Sequence, residues 1–146
     1  MQEYNLIWLV IGTFMFYSLN VTGFRIKSFV LVDGSCIKSE PIDLVFWIPY
    51  CVSVIVFYFR PDIGQWLLLS LYSFLFLLLT FNTYKYTMWP NEKKIKGYNK
   101  YFEKSHHIIK PSERRLIPDT FHIALYLLMF INIITMILYI VNSQGV

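Results

Sequence analysis

The sequence predicts an all-α polytopic membrane protein: four transmembrane helices, with an amphipathic interfacial helix between the third and the fourth. Three observations carry this reading. Of its 146 residues, 56% are hydrophobic and 19% aromatic while only 15% are charged, which is too apolar for an ordinary soluble domain. The apolar residues gather into four runs of helical length. Nine of the thirteen Lys and Arg fall within residues 85–118, the longest polar interval between apolar segments.

The first span, residues 5–24, is long enough to cross a hydrocarbon core of roughly 30 Å as a helix. Arg25 and Lys27 follow it and are expected to snorkel toward the headgroups. Thr13, Tyr17 and Asn20 recur at i, i+4 and i+7, so they share one helical face. None of them is ionised at neutral pH. They therefore read as groups that hydrogen-bond between helices, at about 0.6–2 kcal/mol each, rather than as the wall of a ligand groove.

The first connector, residues 25–43, carries a turn signal at Gly34 and Ser35, and Pro41 opens the next helix. Within it Phe29, Val30, Leu31 and Val32 are apolar but too few to span; a short strand or a surface-lying segment is expected. The second span, residues 42–59, holds Pro49 in its interior, which predicts a kink. Only Arg60, Pro61 and Asp62 separate it from the third span, residues 63–83, so the two must be antiparallel neighbours. The third span is leucine-rich all round, as lipid exposure or an oligomer core would select.

The fourth span, residues 119–141, starts at Pro118 and Asp119, both favoured at a helix N-terminus. Asn132, Thr135, Tyr139 and Asn142 make a polar stripe along it, again read as helix–helix bonding.

Orientation follows from the basic residues. Placing the two longer connectors in the cytoplasm retains twelve of the thirteen there and leaves Arg60 outside. Both termini are then extracytoplasmic, and the protein is a multi-pass protein of the cell membrane. Tyr4, Trp8, Tyr58, Trp66 and Tyr139 mark the outer aromatic belt; Trp47, Tyr84, Tyr86 and Trp89 mark the inner one. One membrane domain, residues 1–146, accounts for the chain, and no cleavable leader is expected. Cys36 and Cys51 read as free thiols. The net charge of +4 is concentrated beside the membrane, so nucleic acid is not an expected partner.

The basic connector, residues 85–118, is where chemistry would have to lie. Residues 90–104 read as an amphipathic helix: Ile95, Tyr98 and Phe102 fall on one face. Lys93, Lys94, Lys96 and Lys100 would meet anionic headgroups, at about 1 kcal/mol per residue. A solvated basic loop that only holds topology is the plainer alternative, because Gly97 weakens the helix by roughly 1 kcal/mol.

The second half places His106, His107, Glu113, Arg114, Arg115, Asp119 and His122 within 17 positions. His106, His107, His122 and Asp119 are the candidate catalytic set, since imidazole and carboxylate are the groups suited to proton transfer. Arg114, Arg115 and Lys110 are candidate substrate ligands, because a guanidinium fork matches a phosphate. The His and acidic spacing matches no standard metal motif and the nearby cations repel one, so no metal is expected. No cofactor is indicated. The bland reading is a polar interfacial loop.

There is no phosphate-cradling glycine loop, serine elbow or redox cysteine pair, and no carboxylate lies in the membrane interior of a span. The expected function is therefore an oligomeric or partner-binding membrane subunit or effector, with anionic lipids and a homo-oligomer or larger membrane complex as partners. The alternatives are a membrane enzyme acting on a phosphate-bearing, lipid-linked substrate at the cytoplasmic interface, and a channel or carrier.

Overall fold

In a computed structural model, residues 3–33 and 42–144 are described, and three-quarters of them lie in five helices. The order is α1 (Glu3–Thr22), β1 (Phe24–Ile26), β2 (Phe29–Val32), α2 (Ile42–Phe59), α3 (Pro61–Met88), α4 (Glu92–Tyr101) and α5 (Thr120–Gln144). Three helices are long and apolar enough to cross a membrane: α1, α3 and α5. The apolar part of α2, Asp43–Phe59, is shorter, about 26 Å of helix. Large apolar side chains such as Trp8, Phe59, Leu77, Phe81 and Leu138 are exposed around the helices, as a lipid-facing surface requires.

The helix boundaries depart from the expected ones for local reasons. α1 stops before residue 24 because Gly23 takes a left-handed φ of 79°, with its N–H donating to the Leu19 carbonyl at 2.7 Å. The chain then forms an antiparallel hairpin, so the fold is not purely helical. Phe24 pairs with Val32, Arg25 with Val30 and Ile26 with Phe29, and a bulge interrupts the register between Phe24 and Arg25. Lys27, at φ 53°, turns the hairpin. Residues 29–32 thus take the strand option, and Arg25 bonds Asp33 at 3.0 Å instead of reaching outward alone. The expected turn at Gly34 and Ser35, together with Cys36, Lys38 and Pro41, lies outside the described residues. Cys51 is a free, half-buried thiol in α2.

α2 runs as one helix through Pro49, and Arg60 alone joins it to α3, where Pro61 occupies the first turn. α3 extends past residue 83 to Met88, well beyond its leucine-rich stretch. α1 packs on α2 and α5, and α3 packs on α2 and α5, which closes a ring around a core that includes Leu6, Tyr50, Phe57, Leu68, Leu125 and Met129. At the α2–α3 end the backbones come so close that a Cβ on Gly64 would collide with the backbone of Phe57. Deeper in, the Tyr50 and Tyr72 hydroxyls meet at 2.9 Å in an edge-on pair.

Thr13, Tyr17 and Asn20 all face inward and are buried. The Asn132 side-chain amide donates to the Thr13 hydroxyl at 2.7 Å, and Thr13 in turn donates to the Leu9 carbonyl, joining α1 to α5. The α5 stripe is less uniform than its spacing suggests. Asn132 is buried, but Thr135 bonds the Ile131 carbonyl of its own helix and Asn142 is exposed. The α1 end of α2 is fixed by the Trp47 indole, which donates to Ser18 at 2.9 Å.

A candidate ligand site at the connector end

The site is assembled where α3 outruns the ring. Leu79, Asn82, Thr83 and Tyr86 recur at i, i+3, i+4 and i+7 and so present one face of that extension. On the facing helix, the Tyr126 hydroxyl donates to the Leu79 carbonyl at 3.0 Å and lies 2.6 Å from the Thr83 hydroxyl. That pair pins α5 to α3 at the depth of residues 79–83. His122, one turn earlier in α5, sits about 6 Å nearer the connector. Thr87 closes the level above, its hydroxyl lying 2.8 Å from the Thr83 carbonyl and 3.3 Å from the Leu116 carbonyl.

α4 forms the roof. It is shorter than the expected residues 90–104 because Asn91 caps it, accepting from the Lys94 N–H at 3.1 Å, and because the chain turns after Tyr101. Its apolar residues point into the protein. Ile95 and Phe102 are buried, and the Phe102 ring stands edge-on to the His122 ring at 5.0 Å. The Asn99 amide donates to the Ser112 carbonyl at 3.0 Å, tying α4 to the returning connector. Lys93, Lys94, Lys96 and Lys100 remain exposed.

Between roof and helices lies a cavity of about 730 Å³. Besides the α3 face, its lining includes Lys93, Lys94, Tyr98, Phe102, His122 and Tyr126. No carboxylate is among the lining residues, and neither lysine has an acidic partner among the described residues, so the wall is positive.

Behind it, Asp119 is fully buried at 0% exposure. Its Oδ1 accepts from the His122 N–H at 2.9 Å and lies 2.6 Å from His122 Nδ1. This one carboxylate both caps α5, which begins at Thr120, and fixes the imidazole. With Nδ1 engaged, Nε2 is the nitrogen left for the cavity. The ring is further held between Phe102 and Phe121. Burial first, and the Asp119 charge second, push the Tyr98 phenol well above its ordinary value near 10, so it stays a neutral O–H group.

Of the residues singled out from sequence, the cavity brings together Lys93, Lys94 and His122, with Asp119 behind. It does not gather the rest. His106 Nδ1 lies 2.8 Å from the Thr120 hydroxyl, and its backbone N–H donates to Val30 at 2.7 Å, so it docks the hairpin to the start of α5. His107 Nε2 lies 3.1 Å from the Phe102 carbonyl. Lys110, Arg114 and Arg115 are exposed and do not line this cavity.

Lys100 instead lines a second hollow of about 520 Å³ with Arg25, Asp33, Glu103 and Lys104, where two carboxylates offset all but one of the three positive charges. Thr83, Tyr98 and Tyr126 were not legible as site residues: hydroxyls in or beside apolar runs announce no chemistry until two helices bring them together. Among the described residues no cluster of three or more metal-ligating side chains occurs. No protein-family model matches the chain, and no curated protein or solved structure matches it either.

Proposed function

We propose that this chain is a membrane effector with four spans and both termini extracytoplasmic, whose cytoplasmic end binds the phosphate-bearing headgroup of an amphiphile. α2 is then the shortest span, and the basic connector faces the cytoplasm under the positive-inside bias.

The observation that carries the binding reading is the grading of the cavity along α3 and α5. Leu79 is at its deep end, the Thr83–Tyr126 hydroxyls come next, then His122, and Lys93 and Lys94 lie on α4 beyond the end of α3. An anionic head with an apolar tail matches that order, and the absence of carboxylates from the lining favours an anion. The mid-helix polar groups that a channel would need, Thr13 and Asn132, are engaged with each other.

The test is equilibrium binding of a tail-labelled monoacyl phosphatidylglycerol to the purified protein in neutral detergent. At about 1 kcal/mol per lysine, Lys93→Gln with Lys94→Gln should weaken binding roughly thirty-fold, and high salt should weaken it too. Lys110→Gln should not change it. Equal affinity for the double variant and the parent protein would refute the reading.

A further inference from the structure

His122 has a geometry that binding alone does not require. A cation at the cavity wall would serve a phosphate; an imidazole fixed by a fully buried carboxylate is the arrangement that presents one ring nitrogen, in one tautomer, to a reacting group. The capping role of Asp119 explains its bond to the His122 backbone N–H. It does not explain a second bond from the same oxygen to the ring.

Depth then says which bond of the ligand would lie at Nε2. Tyr126 is bonded at the level of Leu79 and Thr83, and His122 is one turn above it. Lys93 and Lys94 belong to the roof. An amphiphile with its phosphate at the lysines and its tail at Leu79 places beside His122 the linkage that joins the two.

We infer that His122 is the general base of an esterase activity, cleaving the carboxylic ester that joins an acyl tail to a phosphate-bearing head. This rests on the headgroup-binding reading. Nε2 takes a proton from water as the water oxygen bonds to the carbonyl carbon. The carbon–alkoxide bond breaks, and the imidazolium returns the proton to the leaving alkoxide. One water is consumed, one fatty acid and one alcohol are formed, and nothing is oxidised or reduced. His122 is the catalytic residue. Asp119 is a positioning residue, holding the ring by Nδ1 without touching the substrate.

The experiment uses the full-length protein in neutral detergent with monoacyl phosphatidylglycerol carrying a radiolabelled acyl chain. Binding and fatty-acid release are measured separately. The parent protein should release fatty acid. His122→Gln should lower kcat 10²–10⁴-fold, the range of general acid–base catalysis, with KM little changed. His122→Ala should lose as much and regain part of its rate with added imidazole, which a merely structural histidine would not do. Asp119→Asn should lower kcat without changing KM.

Release unaffected by His122→Gln would overturn the assignment. So would a probe that binds the parent protein normally but is not cleaved, and in that case the binding reading would survive. A probe that does not bind at all would remove both. If His122→Ala does not fold, the His122→Gln rate alone decides.

Discussion

The two ends of the helix ring are built on opposite terms. Where α2 turns into α3, one residue separates the helices, the Gly64 and Phe57 backbones are in contact, and the exposed Arg60–Asp62 ion pair closes the turn at 2.9 Å. At the connector end side-chain hydrogen bonds such as Asn99 to Ser112 and Tyr126 to Leu79 join the elements around a cavity of about 730 Å³. Five buried side-chain polar atoms lack a protein partner among the described residues. Four belong to the connector end, on Asn99, Ser105, His107 and Asp119, and one to Asn132. Close backbone packing marks the first end; unpaired buried polar atoms and open volume are concentrated at the second. Departures from optimal packing of that kind gather where a protein binds or reacts.

Two glycines, one from each end, give the largest expected contrast. Gly64→Ala forces a Cβ into the Phe57 backbone, which cannot yield as a side-chain tip could. It should cost about 3 kcal/mol, read as a fall in thermal stability in detergent, and Gly64→Val should abolish the folded form. Gly97 in α4 has open space where its Cβ would be. Gly97→Ala should therefore stabilise α4 by up to about 1 kcal/mol through helix propensity. Comparable losses at both positions would break the contrast.

Between those extremes lies the Thr13–Asn132 bond. Thr13→Val and Asn132→Leu should each cost about 1 kcal/mol. In a double-mutant cycle they should show a positive coupling of similar size. Strict additivity would mean that the contact contributes nothing.

Tyr98 offers the smallest and most local test. Its phenol is raised in the folded state, so its contribution is fully present below pH 10 and is lost as pH climbs toward its folded value. Hydrogen exchange should then quicken first in α4 and the connector above pH 10, while the α2–α3 turn around Gly64 stays protected. Simultaneous loosening of both would show that the two ends unfold as one.

What could be read from sequence divides along the same line. The helices, the tight α2–α3 turn and the inward face of Thr13, Tyr17 and Asn20 follow from periodicity and composition, because burial on a helix repeats every 3.6 residues. The connector resists such reading. Proximity in sequence suggested that His106, His107 and His122 would converge. Two of them are instead engaged in fixing the hairpin and α4, because His106 reaches Thr120 and His107 reaches the Phe102 carbonyl. The Asp119–His122 pair was legible as part of the candidate catalytic set. Its cavity was not, because Leu79, Thr83 and Tyr126 meet across two helices more than 40 positions apart in the chain.

The central claim is that an amphiphile sits in the connector-end cavity with its phosphate at Lys93 and Lys94 and its tail toward Leu79. The most direct measurement is photo-crosslinking with a trace of phosphatidylglycerol carrying a diazirine at the start of its acyl chain, in protein held in neutral detergent. Adducts should map to Leu79, Thr83 and Tyr126, and Lys93→Gln with Lys94→Gln should lower their yield roughly thirty-fold. Adducts confined to outward residues such as Leu77, Phe81 and Leu138, and indifferent to the lysines, would contradict the account.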